Sequence, residues 1–86
     1  MFLSVDVGNT QTCLGLFHEE GELLRQWRMA TDRTDTADEL HERLYGYFQM
    51  MHFDFDAVDY VAIASVVPIL AQSWQRMVRT AFEVEP

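Results

Sequence analysis

The sequence predicts a small α/β domain in which three strands, a helix, a fourth strand and a second helix follow one another. Three observations support this prediction. Short apolar runs separated by Gly-containing breaks fill the first 29 residues, helical spacing of apolar residues follows a capping pattern at Thr36, and a continuous apolar run precedes Pro68. Leu, Ile, Val and Phe make up 24 of the 86 residues, which is enough for one packed core.

The first third of the chain predicts a three-stranded antiparallel meander. Its apolar runs cover residues 1–7, 12–17 and 23–29. The first break contains the pair Gly8-Asn9, which is one of the dipeptides favoured in tight hairpins, and the second contains three glutamates around Gly21. Each strand is therefore expected to pair with the next one along the chain.

A polar loop at residues 31–36 is followed by the first predicted helix. Thr36 and Glu39 have the spacing of a capping box, in which each side chain accepts a hydrogen bond from the backbone N–H of the other residue. Apolar residues then recur on one helical face, which ends near His52. An acidic linker at residues 54–59 separates this helix from the next strand.

The run at residues 60–67 predicts a strand that is buried on both faces, as strands of parallel sheets are. Pro68 suits the first turn of a helix, where a missing backbone N–H costs nothing. One face of this second helix carries Leu70, Trp74, Met77, Val78 and Ala81. The order β-β-β-α-β-α is the opening of the ribonuclease H-like, actin-like ATPase fold. We expect residues 1–86 to be the N-terminal part of the first lobe of that fold, an incomplete lobe without a second domain.

Composition narrows the possible functions. The net charge is −8, with six arginines and no lysine, so a general electrostatic attraction to nucleic acid is excluded. The single cysteine, Cys13, excludes an internal disulfide and fits a reducing compartment. Asp6 interrupts the N-terminal apolar run too early for a signal peptide, and no apolar run is long enough to span a membrane. The sequence therefore predicts a cytoplasmic protein without nucleic-acid or membrane partners.

The densest group of chemically useful side chains is at residues 6–12. Asp6 ends the first strand, where a carboxylate is costly to bury unless it is paired or binds a metal such as Mg²⁺. Gly8 permits a tight turn, and the polar residues that follow it supply donors for phosphate oxygens. The alternative is a structural hairpin in which Asp6 and Asn9 only satisfy backbone N–H groups of the turn.

Three further residues are weaker candidates. Ser65 follows the fourth strand, where it either faces a ligand cleft or is simply a small residue needed for packing. Arg28 and Arg33 flank Thr31; we expect them to pair with Asp32 and Asp35 rather than to bind a phosphate or a partner subunit. Cys13 is expected to be a small core residue.

Several strings of the sequence resemble the type III pantothenate kinases. The first is Asp6-Val7-Gly8-Asn9-Thr10, which is similar to the phosphate-binding motif of that family. It is followed, in the order and spacing of the family, by Gly15-Leu16-Phe17, Trp27-Arg28, Thr31-Asp32-Arg33, Thr36-Ala37-Asp38-Glu39 and Ser65-Val66-Val67-Pro68. The similarity extends over nearly the whole chain.

The resemblance implies a homodimeric kinase that uses ATP, Mg²⁺ and a monovalent cation, K⁺ or NH₄⁺, to phosphorylate pantothenate in the first step of coenzyme A synthesis. It places the ATP phosphates on Asp6, Val7, Gly8, Asn9, Thr10, Gln11, Thr12 and Cys13, with Asp6 also near the metal. The family's general base lies in a Gly-x-Asp-Arg motif that residues 1–86 lack. We therefore expect no catalytic residue in this chain and no activity from it alone.

Two other functions are compatible with the same fold opening. A metal-dependent nuclease needs a carboxylate cluster, which Asp6 with Glu39 or Glu42 would begin, but the fourth strand ends in Ala64-Ser65-Val66 without an acid, and the net charge is negative. A non-enzymatic role, as a transcriptional accessory factor or an interaction module, is the stronger alternative. The missing Asp of the Gly-x-Asp-Arg motif would distinguish it from a kinase in a longer protein.

Overall fold

A four-stranded sheet forms the centre of the computed structural model, which describes residues 1–86. The strands are β1 (Phe2–Val7), β2 (Gln11–Phe17), β3 (Leu23–Ala30) and β4 (Tyr60–Ser65). Their order in the sheet is β3-β2-β1-β4. The first three form the predicted antiparallel meander, and β4 pairs in parallel with β1, with Val7 opposite Ser65. The carboxyl ends of β1 and β4 therefore lie at the same edge of the sheet.

Helix α1 (Ala37–Met51) lies between β3 and β4 in the chain, and helix α2 (Pro68–Ala81) follows β4. Helix α1 begins with the predicted capping box, because the Thr36 side chain accepts from the Glu39 N–H while Glu39 accepts from the Thr36 N–H. Helix α2 has its proline in the first turn. The acidic linker contains a short 3-10 turn, Phe55–Ala57. Neither helix combines the length and the apolar character that crossing a bilayer requires.

Both helices contribute to a core on one face of the sheet. Alternate residues of β1 and β2 point to this face, as the two-residue period of a strand requires. The α2 residues in the core include Trp74, which is 1% exposed. The helices also contact each other, so that strands, α1 and α2 share a single cluster of 17 buried apolar residues.

The opposite face of the sheet is open, and this corrects one prediction. Strand β4 ends at Ser65 rather than Val67, and it is not buried on both faces, because Tyr60, Ala62 and Ala64 are exposed. It lies at the edge of the sheet, where only Val61 is fully buried. The continuous apolar sequence of β4 predicted that other elements cover both faces of this strand, whereas residues 1–86 cover only one of them.

The open face should make the isolated 86-residue chain self-associate. Phe2 packs between Phe17 and Tyr60 on this face, with ring centroids 5.7 and 5.6 Å away, and Tyr60 is 65% exposed. Exposed apolar patches and sheet edges promote association. We expect Tyr60→Ser to lower the average mass in sedimentation velocity, whereas Tyr45→Ser, at an exposed tyrosine on α1, should change it little. Equal effects of the two substitutions would contradict a role for the open face.

Candidate functional site

The tip of the β1–β2 hairpin carries free hydrogen-bond donors beside an exposed carboxylate. Asp6 lies on the open face of the sheet and takes part in none of the three ion pairs of the chain. Asn9 and Thr10 form the exposed turn, and their backbone N–H groups donate to no backbone carbonyl. Such N–H groups can bind phosphate oxygens, and Asp6 is close to them in sequence and on the same strand end.

Glycine is required at position 8 because a side chain there would clash, and not because the backbone has a positive φ angle. The Gly8 N–H donates to the Gln11 carbonyl at 2.9 Å, and a Cβ at this position would be only 2.9 Å from the same oxygen. The residues at the turn are Asn9 and Thr10, neither of which has a positive φ. The Gly8-Asn9 pair is therefore not the pair of turn residues, although the hairpin itself was predicted.

The loop that follows β3 holds the hairpin in place through three hydrogen bonds. The Thr31 N–H donates to the Thr10 carbonyl at 3.0 Å. The hydroxyl oxygens of Thr12 and Thr31 are 2.9 Å apart, and Thr12 is buried. Arg33 Nη2 donates to Asn9 Oδ1 at 2.9 Å. These bonds fix the hairpin from one side and leave its tip exposed.

The expected pairing of Arg33 with Asp32 or Asp35 is wrong. Arg33 donates to Asn9 instead, while both carboxylate oxygens of Asp35 are bound by Arg43 at 2.8 and 3.1 Å. A bidentate guanidinium can satisfy a buried carboxylate, and Asp35 is only 5% exposed. Arg28 is exposed and forms no ion pair; it lies beside Cys13, which in turn lies beside Asp6.

Two charged groups have shifted pKa values: Asp32 in this loop, and Arg43 of α1, which pairs with the loop residue Asp35. The hydrogen bonds with Asp35 raise the pKa of Arg43 above its ordinary value. The Thr34 hydroxyl and then the Thr34 N–H, at 2.6 and 2.9 Å, hold the pKa of Asp32 below its ordinary value of 3.8. For Asp32 the resulting stabilisation is present above the unfolded pKa and is lost as the pH falls through the lower folded pKa.

Thr34→Val should raise the pKa of Asp32 towards its ordinary value. The substitution removes the hydroxyl bond, the largest cause of the shift, but keeps the backbone N–H bond, so the return should be incomplete. A carboxyl-carbon NMR titration measures the midpoint directly. Thr80→Val, which removes a hydroxyl on α2 that donates to the Arg76 carbonyl, is the matched control and should leave the midpoint of Asp32 unchanged. A midpoint that Thr34→Val does not move would contradict this assignment.

The remaining candidate residues divide between the two faces of the sheet. Cys13 lies on the open face beside Asp6 and is partly exposed, so the expectation of a core residue is wrong. Val7, Thr12 and Ser65 lie on the helix-covered face. The Ser65 hydroxyl accepts from the Val67 N–H at 3.0 Å and donates to the Val67 carbonyl at 2.9 Å, so it shapes the corner between β4 and α2.

Asp6 has the properties of a carboxylate that holds Mg²⁺ together with water and phosphate. It is exposed and unpaired, and it is not in any cluster of three or more potential metal-ligating side chains. Mg²⁺ usually keeps several waters and takes one or two carboxylates plus the phosphates of a substrate. The donor set of this hairpin therefore fits a metal that arrives with a nucleotide better than a permanent all-protein site.

Comparison with known proteins identifies the family of the chain that carries this hairpin. The sequence profile of the family described as type III pantothenate kinase matches residues 2–86. This chain belongs to the type III pantothenate kinase family. Related proteins carrying that name are 43% identical over 76 residues in Desulfotalea psychrophila, 38% over 86 residues in Halalkalibacterium halodurans and 45% over 87 residues in Anaeromyxobacter sp..

The chain spans about a third of the length of these pantothenate kinases. The alignments cover 88% of the chain and 28% of the Desulfotalea protein, and 100% of the chain and 34% of each of the other two. A solved structure from Sinorhizobium meliloti, described as a 2-dehydro-3-deoxygalactonokinase, is similar over 73% of this chain and 21% of its own, with 22% identity and a TM-score of 0.55. This likeness concerns the fold, and the predicted actin-like α/β fold is confirmed.

Sequence reasoning missed how this member of the type III pantothenate kinase family supports its hairpin. It selected residues 6–13 but assigned no role to Thr31, which makes two of the three bonds from the loop. The signal was present, because Thr31-Asp32-Arg33 was one of the strings shared with the family. What the string did not reveal is that Thr31 and Arg33 reach the hairpin rather than the acids next to them.

Proposed function

We propose that the complete protein containing this chain phosphorylates pantothenate with ATP, giving 4′-phosphopantothenate in the first step of coenzyme A synthesis. The observation that carries the proposal is the match of residues 2–86 to the type III pantothenate kinases, supported by three relatives of that name at 38–45% identity. In this proposal the protein is a cytoplasmic homodimer that uses Mg²⁺ and a monovalent cation, K⁺ or NH₄⁺.

The part of this chain in the reaction is to bind and orient the ATP phosphates. The N–H groups of Asn9 and Thr10 and the side chains of Asn9, Thr10 and Gln11 are exposed donors at the hairpin tip. Arg28 lies on the same face of the sheet as Asp6, two strands away, and is free to approach a phosphate. Phosphoryl transfer depends mainly on such positioning and on neutralising charge.

Asp6 would hold Mg²⁺ through water or through a phosphate oxygen. When bound, the metal neutralises charge on the phosphates. The transfer forms a bond between a pantothenate hydroxyl oxygen and the γ-phosphorus, breaks the bond to ADP, and passes the hydroxyl proton to a base. We propose that this base lies outside residues 1–86, so that the chain alone binds phosphate groups without turnover.

An ADP-release assay tests this proposal. The complete protein should release ADP only when pantothenate is present, and the purified 86-residue chain should release none above background. Removing the monovalent cation from the complete protein should lower the rate. ATP-dependent turnover of another hydroxyl substrate but not of pantothenate would overturn the substrate assignment, and pantothenate-dependent turnover by the isolated chain would overturn the location of the base.

A further inference from the structure

A polar cleft lies between the loop that supports the hairpin and the first turns of α2. Its volume is about 470 Å³. The loop and the start of α1 line one side from Arg33 to Ala37, and α2 lines the other with Ile69, Gln72, Ser73 and Arg76. Successive α2 residues are three, one and three positions apart, so that Ile69 and Ser73, like Gln72 and Arg76, are separated by four positions and the set forms one face of the helix. We call this space the loop–α2 cleft.

Two arginines and one carboxylate line the loop–α2 cleft, although the chain is acidic overall. Arg33 and Arg76 both line it, and neither pairs with a carboxylate. Helix α2 contains no acidic residue. Asp35 is the only carboxylate in the lining, and both of its oxygens already accept hydrogen bonds from Arg43.

The uncommitted polar groups of the cleft are mainly donors. Arg33 uses one nitrogen for Asn9, so the rest of its guanidinium is available, and Arg76 is exposed with no side-chain partner. The hydroxyls of Thr34 and Thr36, in contrast, donate to Asp32 and Glu39. A site in which two guanidinium groups keep uncommitted N–H donors and the one carboxylate is already neutralised favours an anion.

The geometry points to the loop–α2 cleft as a binding subsite for a small oxyanion, a carboxylate or a phosphate group, with Arg33 and Arg76 as its charged ligands. The subsite is separate from the hairpin tip, because Arg76 and the α2 face are not part of the hairpin. Arg33 connects the two places: one of its nitrogens is 2.9 Å from Asn9 Oδ1 while its side chain also lines the cleft. Oxyanion binding in this subsite is expected whether or not the complete protein is a kinase.

Titration of the complete protein with inorganic phosphate and, separately, with acetate tests this inference. The backbone amides of Gln72 and Ser73 are followed by NMR, because they report from the cleft and not from the hairpin. We expect saturable shifts with at least one probe, and the probe that saturates identifies the ligand as a phosphate or a carboxylate. Arg76→Gln should weaken that binding about tenfold, since it removes charge-assisted hydrogen bonds.

Two further variants make the result decisive. Arg79→Gln is the matched control: it changes the same charge on the same helix, but Arg79 pairs with Glu85 and does not line the cleft. It should bind the probe as the wild type does. Arg76→Lys keeps the charge and should lose less binding than Arg76→Gln. Unsaturable shifts with both probes, or equal losses in Arg76→Gln and Arg79→Gln, would overturn the subsite.

Discussion

Asp6→Asn in the complete protein is expected to lower kcat for pantothenate phosphorylation by about 10²–10³-fold. The substitution keeps the size of the side chain and removes the only carboxylate at the hairpin, which the proposed function assigns to Mg²⁺. Asp6 is exposed and has no ion-pair partner, so the fold should lose little stability. The loss should therefore appear as a defect in turnover and in the dependence on Mg²⁺ concentration.

The control for Asp6→Asn is Asp54→Asn, which removes the same charge from an exposed position outside the hairpin. It should leave kcat unchanged. Urea unfolding of both variants would separate a chemical effect from a loss of folded protein. A tenfold change in kcat corresponds to about 1.4 kcal/mol of transition-state stabilisation. If kcat of Asp6→Asn stays within about threefold of wild type, Asp6 contributes too little to the transition state to hold the metal, and its role in the hairpin is structural.

The hairpin could be predicted from sequence because its signals are local. Apolar runs that alternate with Gly-containing breaks specify strands and turns within a few residues, and the capping pattern at Thr36 depends on residues three positions apart. The same is true of Pro68 at the start of α2. The capping box and Pro68 are present in the structure where the sequence placed them, and the strands of the meander begin and end within about one residue of the predicted runs, although the turn residues are Asn9 and Thr10 rather than Gly8 and Asn9.

The partners of the arginines could not be predicted because they depend on contacts between distant segments. Arg33 and Asn9 are 24 positions apart, and Arg43 reaches Asp35 from two turns into α1. The sequence places Arg33 beside two acids, which favours local pairing, whereas the fold presents Asn9 to it instead. The exposure of Cys13 could not be predicted either, because the apolar run of β2 does not indicate which face of the strand packs against the helices.

Arg43→Gln should have the largest effect on stability among the charged residues, a loss of about 2–3 kcal/mol in the free energy of unfolding. The side chain of Asp35 is 3% exposed, so removing Arg43 leaves a buried carboxylate without its partner. Breaking a fully buried pair costs more, but the Arg43 side chain is 35% exposed and water can approach the position. Urea unfolding measures the change.

The double variant Asp35→Asn, Arg43→Gln tests the physical cause of that loss. It removes both charges and leaves two amides that can hydrogen-bond each other, so it should recover most of the stability lost in Arg43→Gln. Arg79→Gln breaks an ion pair whose side chains are 52% and 77% exposed, and should cost less than about 0.5 kcal/mol. A double variant as unstable as Arg43→Gln would mean that packing, rather than the unpaired charge, causes the loss.

The Asp35–Arg43 pair also joins α1 to the loop that supports the hairpin, which gives Arg43→Gln a second readout. Asp35 belongs to the loop whose Thr31 N–H donates to the Thr10 carbonyl. If the pair holds that loop in place, the Thr31 amide should exchange its hydrogen faster in Arg43→Gln, and the double variant should restore part of its protection.

Because the pKa of Arg43 is raised, its stabilisation is present throughout the range below the ordinary pKa and is lost only as the pH rises through the raised value. The effect on Thr31 should therefore be the same across neutral pH, and a change in exchange confined to α1 would separate the pair from the hairpin.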